Sequence, residues 1–317
     1  MSNRMRKSET ARTPIVNTIL WITALHMAVS AIIFIFWLNS GDDSRIEIFF
    51  RYQGSIFFVA CAAVELLLAW IAFRQFSQGE PMRAAWMLIM LAALYRFIGY
   101  FFSKILNSES YLNPIFLIFG SQNASIYRTC EQFGLLVSGP LNMLVLAAGL
   151  YLILRNLSRL GMLSKLRALD YVLIIAVAGF TIRQAYEIVT WVQVTPVPYD
   201  LYKVLAWTSD PLLSILLIEA ILIRRSAVQT GWGLLTKSWG AFSLAIFLTS
   251  LGDIGIWATT NHNYLPWPYS SITWYIWFLA SVAYALGPAY QVEACRRAYR
   301  EAETISGEPS EPASMPE

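Results

Sequence analysis

The chain has 317 residues, of which 57% are apolar, 15% aromatic and only 14% charged, and its formal net charge is +3. Soluble domains are roughly one-quarter charged, so this chain lacks the polar side chains that it would need to cover itself in water. Its Lys and Arg residues are spread over many short segments instead of one basic face, which argues against nucleic acid as a partner.

Residues 1–13 form a basic N-terminal segment, which precedes the first of several long apolar stretches. This order is typical of a signal peptide, but the first stretch ends at Trp37-Leu38-Asn39 without a small-residue cleavage site. We therefore interpret it as a membrane span. A membrane-crossing helix needs about 20 mostly apolar residues. The stretches that meet this requirement are residues 14–38, 53–73, 84–102, 133–154, 171–193, 203–223, 238–259 and 271–293.

These stretches predict an all-α fold, a polytopic transmembrane helix bundle of about eight spans over residues 14–295. Lys and Arg are retained on the cytoplasmic side during insertion, and the basic residues of this chain alternate between loops accordingly. One side has Arg45, Arg51, Lys104, Arg128 and Lys203. The other side, which we expect to be cytoplasmic and to hold both termini, has Arg4, Arg6, Lys7, Arg12, Arg74, Arg83, Arg155, Arg159, Lys165, Arg167, Arg224, Arg225, Lys237, Arg296, Arg297 and Arg300.

Residues 296–317 end the chain with an acidic stretch rich in Pro and Ser. This composition predicts a disordered cytoplasmic tail without a kinase, cyclase or other output domain. A signal sensed by the membrane bundle would then need a partner protein to transmit it.

The sixth stretch contains Ser209-Asp210-Pro211, which is typical of a helix start because the acid can cap free N–H groups and proline suits the first helical position. A helix beginning at Pro211 would be too short to cross the membrane. Residues 201–209 would then form a half-helix or an extended segment, as in some transporters. The alternative is a simple proline kink with Asp210 at the external interface.

Glycine and proline predict irregular packing in three other spans. Gly139-Pro140 and Gly287-Pro288 are candidate helix kinks. Gly252 and Gly255 would let a neighbouring helix approach closely.

Ionisable side chains are costly inside a membrane, so they usually face the protein interior and pair. Arg183 and Glu187 are four residues apart, so they share one helix face. Counting along each helix from its basic end places Glu65 and Glu219 nearer that end. The same count places the others at mid-membrane or in the outer half, and we hypothesise that they converge on an outward-facing polar pocket: Arg96, Arg183, Glu187, Asp210 and Asp253.

Aromatic side chains at a similar level could stack on a flat ligand or hold a cation. Trp207 and Trp257 are the candidates that we add to the pocket, with Tyr95, Tyr186, Trp191, Trp274 and Trp277 nearby. Two alternatives stay open. The aromatic residues would also fit a belt at the membrane interface, and the charges would also fit an ion-pair network that fixes helix register.

The sequence predicts no cofactor and no metal site. Cys61, Cys130 and Cys295 have no metal-type spacing. His26 and His262 do not make an intramembrane pair for haem. The chain also lacks HExxH, GxSxG and phosphate-binding glycine motifs, so an enzyme is not the favoured interpretation.

We expect a multi-pass protein of a bacterial inner membrane or other plasma membrane, in contact with the lipid bilayer. The favoured function is non-catalytic binding of a small-molecule ligand or a partner membrane or signalling protein through the outward-facing polar and aromatic pocket. The alternative is a small secondary transporter or ion-coupled permease that uses the intramembrane carboxylates. A scaffold subunit of a larger complex is a third possibility.

Overall fold

The computed structural model describes residues 13–40, 44–106, 124–194, 208–229, 231, 233–256 and 272–306. Regular structure in these ranges is helical throughout, which confirms the all-α prediction. Two short π-helical turns occur, the first at Phe101–Ile105 and the second at Val137–Leu141. The α-helices in the described ranges are α1 (Pro14–Ser40), α2 (Ser44–Arg74), α3 (Pro81–Tyr100), α4 (Ala124–Leu136), α5 (Asn142–Arg159), α6 (Ala168–Val194), α7 (Ser209–Gln229), α8 (Leu234–Ile256) and α9 (Ile272–Ser306).

Several helical stretches are long and apolar enough to cross a membrane, so the chain has the composition of an integral membrane protein. The helices α7 and α9 overlap the two other predicted spans. Charged residues in α7 and the polar and aromatic residues in α9 make them less apolar. The six stretches that qualify within the described ranges are Pro14–Phe36, Gln53–Arg74, Pro81–Ile105, Ile126–Arg159, Ala168–Glu187 and Leu234–Gly255.

Contacts between distant residues bring the basic helix ends together. The backbone N–H of Ile15 donates to Glu293 Oε1 over 2.9 Å, so the start of α1 lies beside residue 293 of α9. Arg225 of α7 forms a 2.7 Å ion pair with Asp170 in the first turn of α6. We call this side of the bundle the basic end and the other side the opposite end.

The helix α7 differs from its predicted form. It begins at Ser209 and continues past Arg224 and Arg225 to Gln229. Its 21 residues extend about 31 Å at 1.5 Å per residue, so it does not have the short length expected of a helix that starts at Pro211 and ends before the arginines. Residues 201–207, where a half-helix was considered, lie outside the described residues.

The helix α9 is also longer than its predicted span. It runs through Pro288 and continues to Ser306, so residues 296–306 are helical although the sequence places them in the tail. A 2.9 Å ion pair between Arg297 and Glu301, four residues apart, supports this extension. Residues 307–317 lie outside the described residues.

The basic half of the bundle contains a cluster of large buried aromatic side chains. Trp86 of α3 and Trp239 and Phe242 of α8 are buried against one another, with ring centroids 5.6 to 6.4 Å apart. The helices α8 and α9 pack closely because Gly252 and Gly255 face Trp277 and Thr273, so the predicted close approach at these glycines is confirmed.

Candidate functional site

A buried ion pair between α2 and α3 lies at the centre of the candidate site. Arg96 Nη1 donates to both carboxylate oxygens of Glu65, over 2.8 and 2.7 Å. Both side chains are only 3% exposed. A charge inside a membrane helix is costly unless it is paired and hydrogen-bonded, so each of these groups requires the other.

The sequence count along the helices placed Glu65 closer to the basic end than Arg96, and the contact shows that the two charged groups lie at one level. The short connection between Arg74 and Pro81 makes α2 and α3 antiparallel neighbours. Side chains on a helix lean towards its N-terminus. Glu65 therefore leans towards the opposite end and Arg96 towards the basic end, which brings the two groups together.

Asn142 joins the ion pair to the break in the fourth predicted span. Arg96 Nη2 lies 3.4 Å from Asn142 Oδ1. Asn142 Nδ2 donates to the Ser138 carbonyl oxygen over 3.0 Å. The backbone is non-helical at Gly139, with φ −90° and ψ −105°, and Pro140 has no N–H to donate, so the predicted kink at this position is confirmed. The side-chain amide of Asn142 thus donates to a carbonyl group at the kink through Nδ2 and accepts from the guanidinium group through Oδ1.

Small residues allow the kinked segment to come this close to α3. A Cβ atom at Gly99 would lie 2.7 Å from the carbonyl oxygen of Gly134, and one at Gly134 would lie 2.6 Å from the carbonyl oxygen of Gly99. Ser103 and Ser138 are each four residues further along and also face this crossing. Such contact between backbones is typical of small residues spaced by four in membrane helices.

Tyr284 of α9 covers the other side of the arginine. The guanidinium carbon of Arg96 lies 3.5 Å from the centroid of the Tyr284 ring, which is a close cation–π contact. Tyr284 lies beside Thr249 of α8 and is close enough to Asp253 for an electrostatic interaction. Side chains from α2, α3, α5 and α9 therefore meet at the ion pair, and α8 contacts it through Tyr284.

We call Glu65, Arg96, Asn142 and Tyr284 the Arg96 network. Aromatic rings continue from this network towards the opposite end. Phe58 contacts Tyr100 and Trp274, with ring centroids 5.5 and 6.2 Å apart. The ammonium group of Lys104, in the first π turn, lies 4.8 Å from the ring of Trp274. Trp274 and Trp277 are both half-buried and meet edge to face at 5.7 Å. We call Lys104, Asp253, Trp274 and Trp277 the outer rim.

The charged residues that the sequence predicts for the pocket fall into two groups. Arg96 and Asp253 belong to the network and its rim. Arg183 and Glu187 form the expected pair on one face of α6, with 2.9 Å between charged atoms, but their side chains are 57% and 25% exposed. The helix α6 packs against α7, where Thr181 and Ser214 hydroxyl groups are 3.1 Å apart. No described contact joins this exposed pair to Arg96.

Three of the residues predicted for the pocket cannot be placed in the site. Asp210 lies in the first turn of α7, but its side chain is outside the described part of the structure. Trp207 and Trp257 lie outside the described residues altogether. The prediction that all the nominated residues share one pocket therefore stays a prediction.

Sequence reasoning missed most partners of Arg96: Glu65 as its counter-ion, Asn142 and Tyr284. The available signals were the opposite charges of Glu65 and Arg96 on consecutive spans and the position of Asn142 two residues after Gly139-Pro140. Tyr284 has no comparable signal, because one tyrosine among 16 in the chain does not reveal its neighbour.

No protein-family model, curated protein or solved structure matches this chain. In the described ranges, no group of three or more His, Cys, Asp or Glu side chains is placed to hold a metal ion. The class of protein is therefore defined by the fold and composition alone. It is an all-helical membrane protein with a buried ion pair between its second and third helices.

Proposed function

We propose that this chain is an eight-span protein of the plasma membrane, with both termini in the cytoplasm, that acts as a non-catalytic binding module. Its ligand would be a small molecule or a segment of a partner protein. The binding site would be the outer rim of Lys104, Asp253, Trp274 and Trp277, supported from beneath by the Arg96 network.

The observation that carries this proposal is the grouping of charged, polar and aromatic side chains in the half of the bundle away from the basic end. The basic half contains buried Trp86, Trp239 and Phe242. The other half holds a guanidinium group, an amide and tyrosines in its interior, next to half-buried indoles and charged groups of opposite sign. Convergent polar groups beside aromatic surfaces are the usual composition of a ligand site.

The rigidity of the network also suits a binding role. Arg96 is fixed by Glu65, Asn142 and Tyr284 from three helices. The side chains of the outer rim therefore pack on a network that is already ordered before a ligand binds. The charged groups of the network bond to one another, and no nucleophile with an adjacent base is seen among them. This arrangement supports binding over catalysis.

Cysteine labelling tests the exposure that the proposal requires. Cys61, Cys130 and Cys295 would first be replaced by alanine, and a single cysteine would be introduced as Asp253→Cys. We expect a membrane-impermeant maleimide to label it from outside intact cells. The matched control is Ser243→Cys on the same helix, where the side chain is buried, and it should not react. Labelling of residue 253 from the cytoplasmic face only would contradict the proposal.

Proton flux distinguishes binding from transport. The full chain in vesicles with a trapped pH-sensitive dye should give no flux above that of empty vesicles. Flux that falls in Asp253→Asn while the protein stays folded would replace the binding proposal with a secondary transporter.

Reporter fusions test the topology. Green fluorescent protein fused after residue 317 should fluoresce, and alkaline phosphatase inserted at residue 262 should be active, because the first folds in the cytoplasm and the second only outside it. Activity of alkaline phosphatase after residue 317 would contradict the cytoplasmic C-terminus.

A further inference from the structure

A second intramembrane glutamate lies apart from the Arg96 network. Glu219 is midway along α7, ten residues after its start at Ser209. Its residue surface is only 8% exposed. Its Oε2 atom is buried without a hydrogen-bond partner, and the side chain forms no ion pair with any residue of the described ranges.

The helix α8 offers no charge at the level of Glu219. The Ser243 hydroxyl donates to the carbonyl oxygens of Ala220 and Trp239, so α8 residue 243 lies level with α7 residue 220. Lys237 is exposed and lies six residues away towards the basic end, about 9 Å along the axis. Asp253 lies ten residues away in the other direction, about 15 Å.

The charges of α6 are also distant and already paired. The Thr181–Ser214 and Asp170–Arg225 contacts set the register of α6 against α7. Asp170 is held at the basic end by its ion pair. Arg183 and Glu187 lie beyond the Thr181 contact towards the opposite end and pair with each other.

The remaining neighbours of α7 leave Glu219 unpaired as well. In α5, Arg155 and Arg159 are exposed near its basic end. The second π turn carries no charged residue. On α7 itself, Arg224 is exposed, and its Nε lies 3.7 Å from the position of a Cβ atom at Gly240.

These surroundings determine the protonation state of the carboxyl group. An ionised carboxylate in an apolar interior without a cation or hydrogen-bond donor is so costly that such a group normally takes up a proton instead. The neutral acid needs no counter-ion. The same reasoning predicts the opposite state for Glu65, which receives two hydrogen bonds from Arg96.

We propose that Glu219 is a proton-binding site in the middle of the membrane bundle. Its carboxyl group holds a proton in the packed state and releases it when water or a cation gains access to α7. Since a proton is bound in one state and released in the other, any movement of α7 that wets this position is coupled to pH. The site is separate from the outer rim and does not depend on what binds there.

Carbodiimide labelling tests the proposal on the full chain in lipid vesicles. Dicyclohexylcarbodiimide enters lipid, and it reacts with protonated carboxylic acids to give a stable N-acylurea. Mass spectrometry of the digested protein should find the adduct on Glu219 and none on Glu65, which is the internal control. The labelled fraction of Glu219 should fall as the pH rises. An adduct on Glu65 without one on Glu219 would overturn the assignment.

Infrared spectroscopy tests the protonation state of Glu219 without requiring a reagent to reach it. The difference spectrum between the wild type and Glu219→Gln should contain the C=O band of a neutral carboxylic acid. A difference spectrum with a carboxylate band in its place would overturn the proposal. If Glu219→Gln does not fold, Glu219→Asp serves instead, because the acid band would then shift in frequency and not disappear.

Discussion

The α2–α3 region and the α7 region each bury one glutamate side chain. Glu65 is bonded through both oxygens to Arg96, which also contacts Asn142 and Tyr284. Glu219 has no such partner in the described ranges, and its Oε2 atom is unbonded. The comparison shows that an interior carboxyl group is made tolerable in two ways, by a counter-ion or by a proton, and that the neighbouring helices decide which.

The two solutions have different structural requirements. A counter-ion must be held at the correct distance, which in this chain involves a helix kink at Gly139 and close packing at Gly99. A proton needs no such scaffold, only a dry environment. Substitutions in the first region should therefore destabilise the fold much more than the corresponding substitution in the second.

The largest effect is expected from Arg96→Leu. This change leaves the Glu65 carboxylate buried without a cation, and breaking such a pair costs about 3–5 kcal/mol. Reversible unfolding in mixed detergent micelles would measure the loss. The matched control is Arg297→Leu, which removes the exposed pair with Glu301 outside the membrane spans and should cost about 0–1 kcal/mol.

The double variant Glu65→Leu/Arg96→Leu separates charge from packing. It removes both charges, so it should be more stable than Arg96→Leu alone. Equal stability of the single and double variants would mean that the uncompensated charge is not the cause of the loss.

A smaller effect is expected from Gly99→Ala. The new methyl group would clash with the backbone of Gly134, and overpacking of this kind costs about 1–3 kcal/mol. Gly179→Ala on α6 is the control because a Cβ atom there meets nothing within 4 Å. The same unfolding assay should show no loss for the control. A loss of equal size in both variants would remove the argument for close packing.

Asn142→Ala should have an effect of about 1 kcal/mol, the usual net contribution of a buried hydrogen bond. It removes the amide that bonds the Ser138 carbonyl group at the kink and contacts Arg96. Asn142→Gln places the amide one methylene group further out and should not restore stability. Unfolding of both variants at neutral pH provides the measurement. An unchanged free energy of unfolding in Asn142→Ala would show that the kink does not depend on this amide.

The sequence predicted the helices well and the ion pair poorly, for physical reasons. Apolar length and glycine-proline pairs act locally, so the helical class and the kink at Gly139-Pro140 follow from neighbouring residues. The Arg183–Glu187 pair was also predictable because both residues lie on one helix. The Arg96–Glu65 contact joins two helices, and it depends on the lean of each side chain towards its own helix start. Depth counted at the Cα atoms misses that lean, which is why Glu65 was placed too near the basic end.

Glu219→Gln should have the smallest effect, less than about 1 kcal/mol at neutral pH, because a neutral amide replaces a neutral acid of similar shape. Glu65→Gln is the matched control, since it leaves Arg96 without its counter-ion and should be strongly destabilising.

A pH series separates a protonated Glu219 from an ionised one. The folded wild type holds a proton on Glu219 that an exposed glutamate in the unfolded chain has already lost at neutral pH. Stability falls with rising pH where the folded state binds more protons, so the wild type should lose stability on alkalinisation relative to Glu219→Gln. Parallel pH profiles for the two proteins, or a large loss in Glu219→Gln at neutral pH, would show that Glu219 is ionised and paired in the folded state.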